Sequence, residues 1–222
     1  LKYFVRGDAT AAAPAMHVGL LFDSSGSMAG DIQLARSAAI RFLNTLREAE
    51  DITLVDFDTE VRVSKYGQQD FPRLVERIRS RTPEGFTAMY DALGLYLEGA
   101  DRDDGRKVLV LFTDGGDTRS SINQGELLDL LKASDVTVYS IGYLKHQGSG
   151  RMDQQQILMR IAAATGGQAF FPSSIKDLDG MYDRILREIA GRYSLGYVST
   201  NTEMDGSWRD VKIRLADRRE LK

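Results

Sequence analysis

Two carboxylates and three hydroxyls carry the chemistry that this chain displays most openly. Asp23, Ser25 and Ser27 form an Asp-x-Ser-x-Ser run directly behind the apolar stretch Val18-Gly19-Leu20-Leu21-Phe22. Asp114 stands just past a second apolar stretch, Val108-Leu109-Val110-Leu111-Phe112, with Thr113 between. Gly85-Phe86-Thr87-Ala88-Met89-Tyr90 adds a hydroxyl, Thr87, at the predicted start of a helix. In an open α/β sheet, ligands bind where strands stop, near the point at which strand order reverses. Hydroxyls and carboxylates without Cys or His suit a hard divalent cation such as Mg²⁺ or Ca²⁺. Asp and Ser also favour turns and caps, so the run alone reads as a loop. Its place between strand and helix, the matching position of Asp114, and Thr87 turn the reading toward a site.

Competing chemistries fail on residue type. The chain has no Cys, which excludes disulfides, thiolate metal sites and cysteine nucleophiles while leaving the compartment open. The histidines are His17, at the start of a predicted strand, and His146, in a polar loop. Neither belongs to a Ser-centred elbow, so a Ser-His-Asp triad has no base. Asp23 as a phosphoryl acceptor lacks a second acid two residues on, because position 25 is Ser. No Gly-x-x-x-x-Gly-Lys phosphate cradle is present. The expectation is a protein that binds and does not catalyse.

The elements that must position these groups alternate along the chain. Strand patterns cover 17–22, 52–57, 61–63, 108–112, 136–141 and 169–171, and helical patterns begin near Asp31, Phe71, Thr87, Ser121, Asp153 and Ile175. Ile32, Ala35, Ala39, Phe42, Leu43 and Leu46 have the spacing of a buried stripe. Ser121 is the predicted N-cap of its helix, and Gly166 or Gly167 the C-cap of the helix from Asp153. Asp56 and Asp58 bracket a turn and are assigned to it. Asp117 is assigned to capping its own loop, with an accessory cation as the less favoured role. Alternation of this kind predicts a doubly wound, mostly parallel α/β sheet with helices on both faces.

The ends read differently. Residues 193–198 and 208–215 suggest an antiparallel strand pair that meets a strand at residues 2–5, since an isolated hairpin is marginal in water. The division is therefore a main domain at 16–191 and a small antiparallel β extension from 1–15 and 192–222. Leu1 in place of Met and the Ala-rich stretch from Ala9 suggest a piece of a longer chain. A net charge of −3 over 222 residues gives no field that draws nucleic acid or anionic membrane. No apolar run approaches the roughly 20 residues of a membrane span.

With Asp23-x-Ser25-x-Ser27, Thr87 and Asp114 in order, and Phe57 and Thr113-Asp114-Gly115 also fitting, the chain resembles the von Willebrand factor type A family over about 16–191. The extension is similar to that of bacterial members. Phe86 departs from the pattern, since many relatives have Gly there. The resemblance implies a Rossmann-like fold and a metal-ion-dependent adhesion site. Ser25, Ser27 and, in one state, Thr87 would bind Mg²⁺ directly, with Ca²⁺ or Mn²⁺ as substitutes, and Asp23 and Asp114 would act mainly through water or hydrogen bonds. It implies a protein partner that supplies a Glu or Asp carboxylate, and an exported protein: secreted, periplasmic or at the cell surface. The competing expectation is a structural or assembly domain of a larger exported protein, with a metal site that merely stabilises.

Overall fold

The computed structural model describes residues 3–5, 15–46, 49–145, 150–190, 194–196 and 203. In chain order the elements are β1 (Tyr3–Val5), β2 (Met16–Asp23), α1 (Ile32–Thr45), β3 (Ala49–Phe57), β4 (Val61–Gly67), α2 (Phe71–Ser80), α3 (Met89–Ala100), β5 (Arg106–Thr113), α4 (Gln124–Ala133), β6 (Thr137–Gly142), α5 (Arg151–Ala164), β7 (Ala169–Phe170), α6 (Lys176–Ala190) and β8 (Ser194–Gly196). The chain divides into two compact units, Ala12–Arg192 and a smaller one from Leu1–Ala11 with Tyr193–Lys222.

The larger unit holds a six-stranded sheet in the order β4-β3-β2-β5-β6-β7, with β3 and β4 antiparallel and every other pair parallel. Strand order reverses between β2 and β5, because the chain leaves β2 toward β3 on one side and later adds β5 on the other. Register puts Asp23 level with Phe57 and Phe22 level with Phe112, so β2, β3 and β5 stop along one edge. A ligand site belongs at that edge.

Side chains of successive strand residues point to opposite faces, and both faces here are covered. Val108, Val110 and Phe112 of β5 enter a core shared with α1, α2 and α6, whereas Leu109 and Leu111 enter one shared with α3, α4 and α5. A strand buried on both faces reads as a continuous apolar run, which is why 108–112 shows no alternation. Burial of each such large side chain is worth about 1.5–3 kcal/mol. A Cβ on Gly19 would lie 2.3 Å from Tyr96 Cζ and 2.6 Å from Leu109 Cδ1, so glycine is what lets α3 settle against β2.

Three expectations need correction. Helix α4 is capped by Asn123, not Ser121: Asn123 Oδ1 accepts from Gly125 N (2.8 Å) and Glu126 N (3.1 Å), while Glu126 Oε2 accepts from Asn123 N (2.8 Å). This reciprocal box satisfies more orphan amides than a lone Ser; Ser121 N instead donates to the Asp91 carboxylate. Helix α3 begins at Met89, so Thr87 lies in the loop before it. Asp58 does serve its turn, accepting from Glu60 N at 2.9 Å, but Asp56 does not. Asp56 is 1% exposed and meets Arg62 (3.3 Å), Arg77 (3.2 Å) and Arg81, fastening β3 to β4, to α2 and to the segment that follows it.

The C-terminal stop of α5 agrees with expectation. Gly166 N donates to Ala163 O and Gly167 N to Ala162 O, the paired closing bonds of a glycine-capped end. In the smaller unit, β1 pairs antiparallel with β8, Tyr3 opposite Gly196 and Val5 opposite Ser194. The strand expected at 208–215 and the loop carrying His146 lie outside the described residues.

Candidate metal centre

Asp23 is the last residue of β2 and is completely buried. The loop behind it turns at once because Ser24 N (2.8 Å) and Ser24 Oγ (3.1 Å) both donate to Phe57 O at the end of β3. Asp23 Oδ1 then accepts from Ser25 N at 2.9 Å, a short Asx-type closure. Ser25 Oγ and Ser27 Oγ lie 3.1 Å apart, Ser25 buried and Ser27 exposed. One carboxylate and two hydroxyls of the predicted set are thus assembled within five residues.

The second carboxylate arrives from the neighbouring strand. Asp114, 1% exposed, follows β5 and its Oδ1 accepts from Gly116 N at 3.1 Å. It is close enough to Asp23 for its charge to be felt there. Burial first, then the negative charge of Asp114, push the Asp23 carboxyl up to about 7, against hydrogen bonds from Ser25 and Thr113 that favour the ionised form. Thr113 Oγ1 donates to Asp23 Oδ2 at 2.5 Å and accepts from Gly115 N at 3.1 Å.

Thr87, 4% exposed, sits on a third loop tied to the other two. Glu84 N donates to Ser24 O (3.0 Å) and Gly26 N to Gly85 O (3.1 Å), so the 84–87 segment lies beside the serine loop. Thr87 N donates to Thr118 Oγ1, and Thr87 O accepts from Thr118 N and Arg119 N. Gly85 has φ +73°, and a Cβ there would lie 2.4 Å from Thr59 Oγ1, the atom that accepts from Phe86 N. The tight course of this loop therefore requires glycine at 85.

Neighbouring residues fall into plainer roles. Asp117 accepts from Tyr90 N, Ser120 N and Ser120 Oγ, which organises its loop. Met28 is fully buried in the core. His17 lies at the opposite end of β2, roughly 20 Å from Asp23 at the rise of a strand, with its ring nitrogens beside Asp51 Oδ2 (3.0 Å) and Asp104 O (2.9 Å). Thr113, Thr118 and Thr59 are what sequence reasoning missed. Thr113 was within reach, since it is the hydroxyl at the strand terminus beside Asp114.

The donor chemistry fits a hard cation. Two buried carboxylates face each other's charge, and the other polar groups are hydroxyls, all oxygen. Among the described residues no three His, Cys, Asp or Glu form a group that could hold a metal ion. A cation held here would draw on a mixed acid and hydroxyl set and not on an all-carboxylate cage.

The profile of the von Willebrand factor type A domain matches residues 17–184, and the chain belongs to that family. Such domains are typically protein-interaction and adhesion modules. Its fold is similar to a von Willebrand factor type A protein from Catenulispora acidiphila (TM-score 0.65, 20% identity, 81% of this chain and 43% of that one). It is also similar to a point mutant of the PilB minor pilin from Streptococcus sanguinis (0.63, 16%, 83% and 64%). The vWF domain of the type V pili tip protein Mfa5 from Porphyromonas gingivalis matches with TM-score 0.63 at 14% identity, over 85% of this chain and 99% of that one. The chain thus spans less than two thirds of the length of the first two. No curated protein matches it in sequence.

Proposed function

We propose that the chain is a divalent-cation-dependent protein-binding module. Asp23, Ser25, Ser27, Thr87 and Asp114 hold Mg²⁺, or Ca²⁺ or Mn²⁺ in its place. A partner protein supplies a Glu or Asp carboxylate. The observation that carries this reading is the pair of buried carboxylates at the strand edge, Asp23 held near pKa 7 by burial and by Asp114, beside the Ser25–Ser27 hydroxyl pair. When bound, the cation supplies a positive centre that attracts an anionic oxygen. The chain's own residues do the rest. Ser25, Ser27 and Thr87 contribute neutral oxygens in direct contact, so the positive charge is offset only at longer range by Asp23 and Asp114, which act through water or hydrogen bonds. Thr113 and Ser25 N orient Asp23, and Thr118 orients the loop of Thr87. Ser27 opens the site to water and hence to a partner.

The named relatives include a minor pilin and a pili tip protein, which supports an exported setting for this one. A second reading has one observation in its favour: Asp23, Ser25, Thr87 and Asp114 are each no more than 4% exposed, as in a site that merely stabilises. A pull-down from the source organism separates the two, run with Mg²⁺, with chelator, and with Ser25→Ala in Mg²⁺. The binding reading expects interactors in the first lane that vanish from the other two. Identical interactors in all three would remove it.

A further inference from the structure

Phe86 is 62% exposed, and it precedes the proposed ligand Thr87, which is 4% exposed. Nothing in the fold calls for an aromatic ring there. Phe86 belongs to neither buried core. Its backbone N–H donates to Thr59 Oγ1 at 2.9 Å, a bond that most residues could make. Single exposed apolar side chains are common on protein surfaces; what sets Phe86 apart is its anchorage. Gly85 O and Glu84 N are tied to the serine loop, Thr87 to Thr118, and Ala88 N to Asp58 O at 2.9 Å. The peptide units on both sides of the ring are fastened, so the backbone that carries it is held in place beside Thr87.

The mouth of the site therefore combines three features: the oxygen set for a cation, an exposed apolar ring, and the exposed Arg119, whose N donates to Thr87 O. This mixture is complementary to an acidic segment with an apolar neighbour. In an extended segment, side chains two residues apart point the same way, about 7 Å from each other. A rigid aromatic with few torsions to freeze makes an efficient anchor.

We infer that Phe86 sets the sequence preference of this face: it covers an apolar side chain two residues from the captured Glu or Asp in an extended segment of the partner protein. The inference rests on the metal-dependent reading above and deepens it.

The test is selection of phage-displayed random linear peptides on the full chain in Mg²⁺, with elution by chelator, repeated on Phe86→Ala and Phe86→Tyr. The expected result is enrichment of Asp or Glu on all three proteins. An apolar residue two positions away is enriched on the unsubstituted chain and on Phe86→Tyr, and falls to library background on Phe86→Ala. A synthetic peptide of the selected pattern binds Phe86→Ala about tenfold more weakly, while calorimetric Mg²⁺ affinity is unchanged. Acidic enrichment without an apolar partner, or with the same partner on Phe86→Ala, overturns the inference and leaves the metal-dependent reading intact. Absence of chelator-eluted acidic peptides overturns both.

Discussion

Asp23 is the residue on which acidity, stability and the proposed metal meet. Its carboxyl holds a proton to about pH 7 in the folded chain, against 3.8 for the ordinary group. The stability this lends is fully present below pH 3.8, where folded and unfolded chains are both protonated. As pH rises, the unfolded chain releases its proton first, so stability falls until the folded group has also titrated near 7. Chelated protein should therefore lose a few kcal/mol between about pH 4 and 7, read by denaturant unfolding across that range. Mg²⁺ should restore the loss at neutral pH, and Asp23→Asn should flatten the profile. The five proposed ligand positions stand out in the sequence because each lies close to a break in a local pattern, where an apolar run ends or a helical one approaches. Thr113 could be picked out as the hydroxyl beside Asp114, but its partner Asp23 lies 90 residues away and is fixed only by the pairing of β2 with β5.

At the level of elements, local signals gave the strands and helices, while the ties between them stayed hidden. Ser121 and Asn123 are both able caps two residues apart, and the choice fell to whichever had Glu126 at the third helical position. Asp56 looked like a turn residue because its sequence neighbours form one; its arginine partners come from β4, from α2 and from the residue that ends it. Removing this buried charge takes the carboxylate away from Arg77 and Arg81, while Arg62 keeps Asp58 at 3.0 Å. Asp56→Ala should cost about 3–5 kcal/mol, visible as a lower denaturant midpoint at unchanged slope.

Across the whole molecule, the sheet order explains why one edge holds the site: only between β2 and β5 do connections depart in opposite directions. The antiparallel β3–β4 pair and the parallel remainder followed from turn length and from intervening helices, so this much was readable in advance. The overall charge of −3 gives no long-range pull on an acidic partner, so recognition would be local to the site. The Ala12–Arg192 unit has both cores and all five proposed ligands. Expressed alone, it should fold and take up Mg²⁺ with the affinity of the full chain, measured by calorimetry; a loss of more than tenfold, about 1.4 kcal/mol, would mean that the smaller unit completes the site.

The pairing of β1 with β8 has a mechanical consequence. Tyr3 faces Gly196, so tension applied before β1 and after β8 pulls at the same end of the pair. Its hydrogen bonds would then open one at a time, as a zip does, and would not shear together. Residues 12–192 lie between the two strands in sequence and would carry no load until that zip had run its length. The proposed binding site of the larger unit would thus be shielded from modest force, with β1 and β8 acting as the fuse.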